Sequence, residues 1–147
     1  MSRSKHLDSV ARLMESRKHD AARRLGLSRQ HRNKQHQRLQ ELIAYRTEYM
    51  SDFQHTVQAG MSALSLQDYH QFLSRLNHAI QRQKQTVEVA EREQALAKQA
   101  WLDSRSHSQA ITKVIDRYRC KEQYERGKRE QRESDECGRS QRGQDRD

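Results

Sequence analysis

From Leu66 to Tyr118, alternate steps of three and four residues land on Leu66, Tyr69, Leu73, Leu76, Ile80, Gln83, Val87, Ala90, Gln94, Ala97, Trp101, Ser104, Ser108, Ile111, Ile115 and Tyr118 without a change of phase. An α-helix turns once in about 3.6 residues, so a repeat averaging about 3.5 stays on one buried side only if the helix supercoils against a partner. The stretch therefore predicts a coiled-coil helix on the order of 80 Å long. A rounded domain has no use for such an element.

The partner is sought within the chain. Leu7, Val10, Met14, Lys18, Ala21, Leu25, Ser28, Arg32, Gln35, Leu39, Leu42, Arg46, Tyr49, Phe53 and Val57 form a second seam at helical spacing. It is apolar at both ends and polar between residues 26 and 38. Gly26 costs about 1 kcal/mol relative to Ala in a helix interior, so a kink or fraying is expected there. Between the arms, Gly60 suits a left-handed helix end, and Ser65 with Asp68 three residues on resembles a capping box for the second helix.

Folding the chain about this turn pairs Leu7 with Tyr118, Val10 with Ile115, Met14 with Ile111, Leu25 with Trp101, Tyr49 with Leu76 and Phe53 with Phe72. Ser28 and Gln35 then fall opposite Ala97 and Ala90, with Gln94 close by, so the weak layers of the two arms coincide. Such a layer either sets the register or lets the rod bend. The expected fold is all-α: an antiparallel two-helix coiled-coil hairpin over residues 1–127 with its turn near 59–65. The helix is expected to fray past Gly127 into a charged, disordered tail over 128–147.

Composition agrees with a thin seam. Of 147 residues, 32% are hydrophobic and 33% charged, with no Pro, which is too little apolar content for a rounded core. The formal charge is +9, and residues 1–38 alone carry eleven Lys or Arg against three acids. That arm is attracted to acidic surfaces of any kind. No run approaches the ~20 apolar residues of a membrane span, and the N-terminus has no apolar signal segment, so a soluble cytoplasmic protein is expected. Cys120 and Cys137 read as free thiols.

Catalytic chemistry has no foothold. The five glycines form neither GxxxxGK[ST] nor GxGxxG. His31 and His36, or His70 and His78, lack the further ligands that a metal needs, and Glu91 and Glu93 lie on different faces of an exposed helix. We expect no enzyme, no cofactor and no metal. A basic coiled coil can hold nucleic-acid phosphates in a salt-dependent way, but these basic residues spread around the helix without a base-reading cluster. Nucleic-acid binding and a generic cytosolic scaffold stand as alternatives to the reading below.

Two surfaces invite partners. Near the turn the apolar residues exceed what a two-stranded seam can bury, and Leu42, Tyr45 and Tyr49 on one arm line up beside Phe72, Leu76 and Ala79 on the other. This stripe is either a locally thicker core or a docking face with aromatic anchors. At the chain ends, Arg3, Lys5, Arg12, Arg17, Lys18, Arg23 and Arg24 come near Lys113, Arg117 and Arg119. That basic end is either a solvated face or the part that enters an acidic socket.

On these residues the chain resembles the FliJ family, the coiled-coil component of the flagellar type III export apparatus. The resemblance rests on Ala21, Ala22 and Arg23 with Leu25 and Gly26, then Leu39, Leu42 and Ile43 with the run from Tyr45 to Tyr49. It continues through Tyr69, His70, Gln71 and Phe72 with Leu76, Ala79 and Ile80. It covers residues 7 to 118 and is strongest from 39 to 80. It implies a rod similar to the central stalk subunit of rotary ATPases and to the stalk proteins of injectisomes. The terminal end, with Leu7, Arg12, Arg17, Arg23 and Arg117, is expected at the export ATPase hexamer. Leu42, Tyr45, Tyr49, Phe72, Leu76 and Ala79 match the pattern that faces the cytoplasmic domain of the membrane export gate, with Arg38 and Gln83 standing where Gln and His are usual. The family also escorts export chaperones, and its members sit at the inner membrane through their partners.

Overall fold

The computed structural model of the protein describes residues 3–144, apart from the side chains of Ser4 and Gln144. It consists of helix α1, Arg3–Ala59, and helix α2, Ala63–Gln144. The chain divides into two units, one formed by Ala21–Trp101 and the other by the chain ends, through Asp20 and from Leu102. In both, α1 and α2 pack against each other antiparallel. Arg32 donates to Gln94 at 2.7 Å and Arg46 to Asn77 at 3.1 Å in the first unit. In the second, Ser108 donates to Glu15 at 3.0 Å and Arg119 to Asp8 at 3.1 Å. The fold is an all-α helical hairpin.

The seam follows the heptads. Every α2 position of the repeat from Tyr69 to Tyr118 is buried or half-buried, as is every α1 position from Leu7 to Phe53. Leu66 and Val57, the last predicted members at the turn, are exposed. Burial is deepest at Ile80 and Ala90, each 1% exposed. Alternation of three and four keeps these residues under the facing helix, while the charged positions between them stay in water.

The polar centre of the seam is occupied and bonded. Gln35 is buried, and Gln83 Nε2 donates to both its side-chain and backbone oxygens at 2.9 Å. His36 and Glu91 meet at 2.8 Å beside it. A buried amide left without partners costs about 1–3 kcal/mol, so this pairing is what lets a glutamine stand in the seam. Gly26 introduces no break in α1, and a Cβ there would meet nothing within 4 Å.

The turn is tighter than expected. Gly60 has φ 97° and its amide donates to Val57 O at 3.1 Å, closing α1 in the left-handed conformation. The cap of α2 is Ser62 rather than Ser65. Ser62 Oγ accepts from the Ser65 amide at 3.2 Å and donates to Ser65 Oγ at 2.9 Å, and Ser62 O accepts from the Leu66 amide. Helix α2 can start this early because Ser62 satisfies a first-turn donor that would otherwise have no partner. Near the turn the ring pairs also differ from those expected. Phe53, expected opposite Phe72, stacks on Tyr69, and Tyr49, expected opposite Leu76, packs on Phe72.

An alanine at position 60 clashes with nothing but must hold a positive φ. Gly60→Ala is expected to lower stability by about 1 kcal/mol, read as a lower urea midpoint with an unchanged slope.

Fraying beyond Gly127 is not what the structure shows: α2 continues through Gln144, with residues 128–143 exposed. The tail lacks Pro and is rich in Glu, Gln, Lys and Arg, all strong helix formers, and Lys128 Nζ lies 4.8 Å from the ring centre of Tyr124. Residues 145–147, the end of the expected tail, lie outside the described residues, as do residues 1–2. Among the described residues, no helix is long and apolar enough to cross a membrane.

Candidate protein-docking site

Aromatic side chains one helical turn apart share a face, and α1 places Tyr45, Tyr49 and Phe53 in such a row. Helix α2 brings Tyr69 and Phe72 against it. Phe53 and Tyr69 stack with ring centres 3.5 Å apart, Tyr49 lies nearly parallel to Tyr69 at 5.1 Å, and Tyr49 meets Phe72 at 4.5 Å. Tyr45 closes the row edge-on to Phe72 at 6.2 Å. The cluster runs from the seam outward. Tyr69 is buried, Tyr49 and Phe53 are half-buried, and Tyr45 and Phe72 remain 48% and 36% exposed.

The six stripe residues are therefore not equivalent. Tyr45 and Phe72 form surface, with Tyr49 supporting both rings. Leu42 and Ala79 are half-buried at the edge of the seam. Leu76 is only 7% exposed and belongs to the core. Sequence reasoning did not find the Phe53–Tyr69 stack, although the four-residue step from Tyr49 to Phe53 was its signal.

The basic residues of the chain ends are divided. Leu7 is half-buried in the chain-end unit, where Arg12, Arg17 and Arg117 are exposed. Arg23, also exposed, falls in the other unit. Glu15 holds this basic surface together locally. Its carboxylate lies 2.9 Å from Lys18 Nζ, accepts from Ser108 Oγ at 3.0 Å and sits 3.4 Å from His19. Hydrogen bonds from Lys18 and Ser108 favour the ionised form and hold its pKa below the ordinary carboxylate value.

A carboxyl depressed in the fold adds stability above its unfolded pKa, and that stability is lost as pH falls through the lower folded value. Thermal melts from neutral pH to below about 4 should therefore show a loss in the wild type. A Glu15→Gln variant should lack the part of that loss that belongs to this group.

Among the described residues, no three His, Cys, Asp or Glu come together to hold a metal. Cys120 and Cys137 are free and exposed. No curated protein and no solved structure matches the chain. The family model described as flagellar FliJ protein matches residues 3–145. Because that span takes in both helices and the turn, the chain belongs to the flagellar FliJ family and serves the flagellar export apparatus.

Proposed function

We propose that this chain is a non-enzymatic coupling protein of flagellar type III export, linking the export ATPase hexamer to the cytoplasmic domain of the membrane export gate. Tyr45 and Phe72 are the gate anchors, Tyr49 fixes their orientation, and Leu42 and Ala79 border them; Leu76 acts from beneath as support. The chain-end unit, with Leu7, Arg12, Arg17 and Arg117, meets the ATPase ring, and Arg23 of the other unit contributes a further basic contact. Export chaperones are the third class of partner. The protein reaches the inner membrane only through these contacts.

One observation carries this reading. In a chain with only two Phe and five Tyr, Phe72 and Tyr45 touch each other and still leave a third to a half of their surface in water. Water-exposed rings held rigidly by their neighbours are the side chains that dominate protein interfaces. Added to the purified export ATPase below one chain per hexamer, the protein is expected to raise the rate of ATP hydrolysis. No stimulation by a folded, helical preparation would sink the coupling function.

A further inference from the structure

Between Arg46 and Arg75 the sequence holds no Lys or Arg, while Glu48, Asp52 and Asp68 carry negative charge. In a protein of formal charge +9, the turn is locally acidic. Asp52 on α1 and Asp68 on α2 both line a cleft of about 360 Å³ whose walls include the rings of Tyr49, Phe53 and Tyr69. Neither carboxylate has a hydrogen-bond or ion-pair partner among the described residues. The contact of Asp52 with Thr56 uses its backbone oxygen. Arg46, the nearest cation before the turn in sequence, is engaged with Asn77.

We propose that this cleft binds the side chain of an arginine presented by a basic segment of a partner protein. The half-buried rings of Tyr49 and Phe53, supported by the buried Tyr69, supply an apolar wall for the methylene stem and π-electron surface for the guanidinium, which is planar, permanently charged and weakly hydrated. Two carboxylates contributed by different helices offer acceptors for the guanidinium donors. A neutral group seated there would desolvate both carboxylates without compensation, and an anion would be repelled. Lysine offers charge without the planar surface that lies against a ring. The cleft shares Tyr49 with the gate surface, but the gate anchors Tyr45 and Phe72 do not line it.

The test is an NMR titration of the full chain with N-acetylarginine amide, observing the ring signals of Tyr49, Phe53 and Tyr69. These signals should move saturably, and the neutral isostere N-acetylcitrulline amide should bind about tenfold more weakly or less. Asp52 and Asp68 are exposed, so Asp52→Asn with Asp68→Asn should keep the helical circular dichroism while lowering the arginine response to the citrulline level. Tyr45→Ala with Phe72→Ala should leave the arginine response in place, which separates this site from the gate surface. Equal responses to the two amides, or an arginine response that survives the double Asn change, would overturn the site. N-acetyllysine amide binding as tightly as the arginine probe would overturn its assignment to a guanidinium.

Discussion

Replacing Ile80 with alanine is expected to cost about 3 kcal/mol of stability. Ile80 is 1% exposed and is the largest fully buried side chain among the described residues. It lies on the α2 seam between Leu76 and Val87, themselves buried, so its loss leaves a gap in a contact layer only two helices thick. The α1 positions that line the same seam, such as Leu39 and Leu42, are themselves half-buried. They have little surrounding structure with which to refill the space. Urea unfolding followed by helical circular dichroism measures the change. The control is Leu96→Ala on the same helix: Leu96 is 72% exposed, and its change should stay within about 0.5 kcal/mol. Equal effects of the two substitutions would contradict the seam.

The seam was legible in the sequence because it is a repeat. A 3.5-residue spacing gives each residue's face without any knowledge of distant contacts, and positions from Leu7 to Phe53 and from Tyr69 to Tyr118 lie where the spacing puts them. The glycine that ends α1 was equally legible, since a left-handed helix end favours the residue without a Cβ. What the repeat could not supply was the length of the turn. Ser62 and Ser65 are both able to cap, and only the tertiary geometry selects Ser62. The exposure of the stripe was legible in part. Leu42, Tyr45 and Tyr49 were visible as a row, but whether Leu76 turns into the seam or out of it depends on the rotation of α2 against α1. That rotation buries Leu76 and leaves Phe72 at the surface. The tail was misjudged for another reason: high charge is the mark both of disorder and of an exposed helix built from Glu, Lys, Arg and Gln.

The proposed function depends on separating what Tyr45 and Phe72 do for the fold from what they do for a partner. Their rings pack on Tyr49, which in turn stacks toward Tyr69, so removing them leaves the inner pair of Phe53 and Tyr69 in place. Much of each ring faces water, and its removal gives up correspondingly little buried surface. At an interface the same rings would be fully desolvated, where truncating an anchor costs about 2–4 kcal/mol of binding. Binding should therefore suffer far more than folding.

The most direct measurement is the affinity of the purified chain for the cytoplasmic domain of the export gate, with wild type and Tyr45→Ala/Phe72→Ala compared by calorimetry. The double variant is expected to bind at least about thirtyfold more weakly while its helical content stays unchanged. Undiminished binding by a double variant that is still fully helical would contradict the account.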